Sequence, residues 1–290
     1  MHDARGGLLI LQTIVLTAVA MLAFAANSLL CRLALQRGEI DPVSFAGIRL
    51  VSGAIVLAVI VRFRSERPAP IHADWLAAAM LFVYVAFFSF AYLTLSAGTG
   101  ALILFGAVQL TMFSVGLRSG EKFGSVAWLG LALAVAGLVY LVSPGIAAPP
   151  LVGAALMAIA GVAWGVYSLR GRGVADPLAA TAGNFARAAP LALLLSVLFI
   201  ANARVYANGA GIALAIASGA LTSGIGYVIW YAALSKLTAM RAATVQLSVP
   251  LIAAFGGVAF LSEAITPRLA AASATILGGI AMVLTSKSRT

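Results

Sequence analysis

The chain has 290 residues, 63% of them hydrophobic, and a mean hydropathy of +1.09 that lies far outside the range of soluble domains. Its 18 basic and 8 acidic side chains are too few to cover a water-facing surface, and a single cysteine, Cys31, excludes a disulfide scaffold. The formal charge of +10 has no hydrophilic domain on which to form a nucleic-acid face, so the composition is that of an integral membrane protein with its basic residues in loops.

Ten apolar windows of membrane-spanning length lie between the charges. The first, 11–31, is too long for a signal-peptide core and runs into NSLLCRLAL without a small-residue cleavage site, so it is a span. The second, 43–61, precedes the longest polar connector, RFRSERPAPIHAD over 62–74, whose prolines and charges fit a loop. Windows 75–95 and 98–117 are two residues apart, which predicts a tight hairpin. The remainder are 124–143, 150–169, 178–200, 209–234, 239–261 and 266–284. Peptide groups in hydrocarbon must pair within the protein, and LGLALAVAGLVYLV (129–142) lacks the alternation of a barrel strand. The predicted fold class is therefore an all-α integral membrane protein with ten transmembrane helices. With the N-terminus inside, twelve basic residues fall on the cytoplasmic side, and only Arg32, Arg37, Arg204 and Arg268 on the other, so both termini are expected in the cytoplasm.

The chain repeats itself. RGEIDP (37–42) precedes the second window and RGVADP (172–177) the seventh. A separation of 142 residues then aligns Ala97 with Ala239, Ala101 with Ala243, Phe113 with Phe255, Glu121 with Glu263 and Gly137 with Gly279. Two five-span units, 1–145 and 146–290, follow. Because five is odd, their topologies are inverted, a construction suited to alternating access around a midplane site. The alternative is a duplication that only enlarged a helical bundle.

These features resemble the drug/metabolite transporter superfamily, and within it the ten-span EamA-type family, over residues 11–284. They are the twin halves, Asp-Pro before the second span of each half, Arg49 soon after, the Ala-rich starts of the fourth and ninth spans, and VQLSVPLIAAFGGVAFLSEAITP (245–267). The first half departs from the pattern with Val108 where the second has Pro250, and with Arg118 in a usually apolar end. The resemblance implies a transporter in the bacterial inner membrane, similar to exporters of amino acids and related metabolites. Multidrug or other metabolite efflux is the alternative, and a channel or structural membrane protein a more distant one.

Polar and aromatic residues within spans are the available chemistry. An amide facing acyl chains is costly, so Asn27, Gln109 and Gln246 should face the bundle interior, where solute binding and helix pairing are equally good explanations. Pro250 deprives the Gln246 carbonyl of its helical partner and should kink the ninth span, a candidate hinge. Arg49 lies toward the external side, where it could snorkel, and Arg187 lies near mid-depth; either could attract a substrate carboxylate or phosphate. Tyr84 is a further pathway candidate. Trp164 and Tyr227 could wall a cavity, with Tyr92, Tyr167, Trp230 and Thr244 as secondary candidates; Trp230 is also suited to an interfacial belt. Gly161 and Gly165 allow close helix approach.

His2 and His72 lie outside the windows, and no metal-ligand cluster, nucleotide loop or nucleophile motif is present in the sequence, so no enzyme, cofactor or metal is expected. No carboxylate or histidine falls near mid-membrane, which favours movement down the solute's own gradient, with proton coupling through a substrate group or a span-end glutamate as the alternative. The expected partners are a small-molecule substrate and the lipid bilayer, with no nucleic acid, the protein acting as a monomer.

Overall fold

The computed structural model describes residues 2–64, 74–120, 122–200, 205–237 and 239–285, the side chains of 2–9 and 239–240 apart. In chain order the helices are α1 (His2–Gln36), α2 (Pro42–Arg64), α3 (Trp75–Ala91), α4 (Ala97–Arg118), α5 (Ser125–Val142), α6 (Leu151–Arg170) and α7 (Pro177–Ile200). They continue with α8 (Gly209–Ile216), the π-helical segment π1 (Ala217–Ile225), α9 (Gly226–Leu234), α10 (Ala239–Gln246), α11 (Ser248–Leu261) and α12 (Pro267–Thr285). Among the described residues, nine helical runs are long and apolar enough to cross a membrane, with α8–π1–α9 forming one and α10–α11 another; α3 is a shorter apolar helix of 17 residues. The protein is an all-α, multi-pass membrane protein.

The twin hexapeptides do the same local work. Gly38 and Gly173 adopt left-handed φ of +64° and +75°, which turns the chain after the preceding helix. Asp41 Oδ1 then accepts the amides of Val43 and Ser44 at 2.9 Å, and Asp176 Oδ1 that of Ala179 at 3.1 Å, so each aspartate caps a helix start. Pro42 and Pro177 occupy first helical positions, where no N–H is needed.

Three local features of these helices have physical causes. The α3–α4 connection is Tyr92–Ser96, five residues rather than two. Turns from Leu93 to Phe90 and from Thr94 to Ala91 unwind the end of α3, and Tyr92 Oη, donating to Ala97 O at 3.2 Å, closes the corner. The eighth span contains the nine-residue π segment, foreshadowed only by Gly219, Gly224 and Gly226. The ninth is broken at Leu247, three residues before Pro250, where proline leaves the Gln246 carbonyl without its N–H.

The helices pack as α2 on α7, α5 on α12, α4 on α11, α3 and α4 on α6, and α1 on α9 and α11. Gly161 and Gly165 of α6 meet α4: an added Cβ would lie 2.6 Å from Leu104 O and 2.9 Å from Thr111 Cβ respectively, so close backbone approach needs both glycines. At one end of the bundle, Arg170 pairs with Asp74 and Arg64 with Asp176 at 3.8 Å. At the other, Arg32 meets Glu263, the Asp41 amide donates to Tyr206 O while Asp41 Oδ2 accepts the Tyr206 amide, and Arg268 reaches the Leu141 and Ser143 carbonyls. Of the residues used above for topology and repeat, Arg67, Glu121, Arg204, Lys287 and Arg289 lie outside the described residues, as does His72.

Candidate functional site

A cavity of about 590 Å³ runs from Arg49, Asn27 and Ser223 in the interior to the exposed Gly171–Gly173 loop after α6. Its interior charged group is Arg49, the eighth residue of α2. The sequence suggested snorkelling, but only 2% of this residue is exposed. The neighbours explain why: Nη2 donates to Tyr84 Oη at 3.0 Å, Nε to Ser223 Oγ at 3.3 Å, and the guanidinium lies 5.3 Å and 5.0 Å from the centres of the Tyr84 and Phe88 rings.

The π segment makes this possible. A Cβ on Gly219 would meet the Arg49 carbonyl at 2.2 Å, so π1 rests directly on the α2 backbone. It then presents Ser218, Thr222 and Ser223, whose hydroxyls donate to Asn27 Oδ1 at 2.9, 2.6 and 3.3 Å. Asn27 thus borders the cavity with its carbonyl oxygen committed to pairing α1 with π1. π-helical turns recur at functional sites because they displace side chains from α-helical register.

Aromatic rings form the wall. Tyr84 of α3 meets Trp164 of α6 edge to face at 4.4 Å, Trp164 stacks on Tyr227 of α9 at 5.9 Å, and Tyr227 stacks on Tyr231 at 6.0 Å. Three of the principal candidates are therefore one contiguous surface drawn from three helices. Tyr167 borders the cavity and donates to Thr181 Oγ1 at 3.4 Å, which also shares a 2.8 Å bond with Tyr231 Oη. Trp230, suited by sequence to an interfacial belt, is instead buried edge to face against Phe24, where both line the cavity. Gln109 and Gln246 line the cavity nearer its mouth, Gln246 at the helix break beside buried Pro250.

Other candidates lie elsewhere. Tyr92 is fully buried at the α3–α4 corner, where its hydroxyl is used by the turn. Arg187 Nη1 donates to Gly183 O of its own helix at 3.0 Å, and its guanidinium lies over Trp75 at 5.8 Å, away from the cavity. Thr244 is on the exposed side of α10. Sequence reasoning passed over Ser223, Thr181, Tyr231 and Phe24, all cavity-lining; the only available signal for Ser223 was the density of hydroxyls among the glycines of the eighth span.

Both bundle ends carry charge, unequally enclosed. At the mouth end, burial alone would raise the Asp74 carboxyl, but the Arg170 guanidinium and the Ala77 and Leu76 amides outweigh it and hold the group below its ordinary 3.8. At the other end Arg32 Nε meets Glu263 Oε1 at 3.1 Å, Glu263 Oε2 accepts the Ala97 amide at 2.8 Å, and Arg32 Nη1 donates to the Tyr92 and Leu93 carbonyls.

A membrane-spanning helical bundle that holds a polar, aromatic-walled cavity reaching one end is the architecture of a solute transporter. The chain belongs to the EamA-like transporter family, whose sequence profile matches residues 11–143 and again 151–285. Membership in this family makes it a transporter rather than an enzyme. It is 54% identical over 273 residues to an uncharacterized protein of Pseudomonas aeruginosa, covering 94% of each chain. It is 27% identical over 267 residues to an uncharacterized transporter of Archaeoglobus fulgidus, covering 87% of this chain and 90% of the other. A crystal structure of a protein with 21% sequence identity shares the fold at a TM-score of 0.67, over 93% of this chain and 96% of that one.

Proposed function

We propose that this protein is an alternating-access transporter exporting small metabolites, amino acids first among them, across a bacterial inner membrane, acting as a monomer. In this reading α3 completes ten crossings, both termini are cytoplasmic, and residues 1–145 and 146–290 are inverted five-helix repeats. The packing pattern supports the repeat. Exchanging each span for its counterpart in the other half maps the α3–α6 contact onto that of α1 with the α8–π1–α9 span, α4–α6 onto α11–α1, and α2–α7, α5–α12 and α4–α11 onto themselves.

The observation that carries the proposal is the cavity's one-sided reach. It is shared by Asn27, Arg49, Tyr84 and Gln109 from one half and Trp164, Tyr227 and Gln246 from the other, extends to exposed residues at the Arg172 end, and stops short of the Arg32–Glu263 pair. With the basic end cytoplasmic, this is an inward-facing state, and Pro250 at the broken ninth span is the hinge. The binding group is the Gln246 amide with the Trp164 and Tyr227 faces. Transport down the solute's own gradient needs no proton relay.

The test is sided uptake into proteoliposomes with radiolabelled amino acids, nucleosides and lipophilic cations. Saturable amino acid flux is the expected result; flux of lipophilic cations alone would replace this reading with multidrug efflux, which the aromatic wall favours. No flux of any class would sink the transport proposal for these solutes.

A further inference from the structure

Arg49 carries a charge that the cavity does not balance. A guanidinium has five N–H donors and stays protonated in proteins. Two of its hydrogen bonds go to neutral hydroxyls, those of Tyr84 and Ser223, and among the described residues Nη1 has no hydrogen-bond partner although the atom is buried. Among the described residues, the only other charged side chain lining the cavity is Arg172 at the mouth, and no Asp or Glu lines it. Intramembrane arginines are costly and are normally paired. Among the described residues the pairing group is not in the wall, and the unpartnered nitrogen belongs to a buried residue that lines the cavity.

We infer that Arg49 binds the carboxylate of the transported solute, so the cargo is a small monocarboxylate with an apolar or aromatic body. This rests on the transport reading above and narrows it. A guanidinium can hold two carboxylate oxygens through two of its nitrogens, and one buried cation balances one negative charge. The body then lies against Phe88, Trp164 and Tyr227. Among the described residues Asn184 Oδ1 and Tyr227 Oη are also buried without hydrogen-bond partners, two neutral groups able to accept from an α-ammonium, so amino acids and their deaminated analogues share the recognised chemistry.

The test is equilibrium binding to the purified full-length protein of four probes with one phenyl body: L-phenylalanine, 3-phenylpropionate, L-phenylalaninamide and phenethylamine. The two carboxylates should bind about tenfold or more tightly than the two probes without one, since a charge-assisted bond is at stake. Arg49→Gln should abolish that preference, and Arg49→Lys, which keeps the charge but not the fork, should retain part of it. A phenylalanine-to-3-phenylpropionate ratio above one assigns the ammonium to the Asn184 region, and a ratio below one assigns the cargo to deaminated acids; both leave the Arg49 site standing. Equal wild-type binding of amide and carboxylate, no binding of either carboxylate, or unchanged carboxylate binding in Arg49→Lys and Arg49→Gln would overturn the inference. If Arg49→Gln does not fold, the wild-type preference and Arg49→Lys decide. Carboxylate-selective binding without flux in proteoliposomes sinks the transport reading alone; flux that ignores the carboxylate sinks the Arg49 site alone.

Discussion

Glu263 and Arg32 meet at 3.1 Å with both side chains largely enclosed, at 11% and 15% exposure, and the second Glu263 oxygen takes the Ala97 amide. One carboxylate thus ties the ends of α1, α4 and α11. The end of α11 is shaped for it: Ser262 is left-handed at φ +56°, and the Glu263 amide donates back to Gly257 O at 3.1 Å. Cys31, next to Arg32 in the chain, is fully buried. Glu263→Gln should weaken the Arg32 contact by about 1–3 kcal/mol, the worth of a charge-assisted bond, and expose Cys31 to small thiol reagents. Labelling of Cys31 in the variant no faster than in wild type would show that the pair does not hold this end closed.

The pocket proposal is tested by Gln246→Leu, which removes the amide at similar volume, and Trp164→Ala, which removes apolar contact. Each should weaken solute binding by about 1–3 kcal/mol. Wild-type affinity and transport in both folded variants would place the site elsewhere.

Pro250→Ala restores a backbone donor near the break at Leu247. Turnover should fall while affinity stays near that of the wild type, because the helix regains a bond that resists opening. Normal turnover over the accessible gradient would make the break structural.

Gly219→Ala places a methyl 2.2 Å from the Arg49 carbonyl and 2.0 Å from Ser52 Oγ. Backbone cannot yield as a side-chain tip can, so the variant should lose about 1–3 kcal/mol of stability and displace Ser223 from Arg49. Thermal unfolding of the purified variant measures the first effect. An unchanged melting temperature would mean that π1 shifts freely.

The Asp74–Arg170 pair gives a pH dependence of known sign. The folded Asp74 carboxyl sits below its ordinary 3.8, so its contribution is fully present above that value and is lost as pH falls through the lower folded one. Asp74→Asn keeps the helix cap to Leu76 and Ala77 but not the charge. The stability difference between wild type and variant should therefore shrink below about pH 4; a difference constant from pH 7 to pH 3 would assign it to the cap.

Topology is open to single-cysteine labelling in a Cys31→Ser background. Impermeant reagent on intact cells should modify a cysteine at Ala148 and miss one at Ser286, and the reverse pattern would invert the proposed orientation.

The chain's composition alone determined that it is helical and membrane-bound, because long apolar windows can satisfy their peptide groups in lipid only as helices. The spacing of RGEIDP and RGVADP also located two equivalent turns, since glycine, aspartate and proline act there through local geometry that needs no tertiary context. Pro250 announced a break in its helix for the same reason. Which candidates share a site was decided only by the tertiary structure. Arg49 and Arg187 are alike in sequence, each the single charge within an apolar window, yet one faces Tyr84 and Ser223 in the cavity and the other its own helix and Trp75. Helix rotation sets that difference. It depends on close contacts such as Gly219 against the Arg49 backbone, formed between residues 170 positions apart, and on a π segment whose shifted register aims Ser223 at the guanidinium.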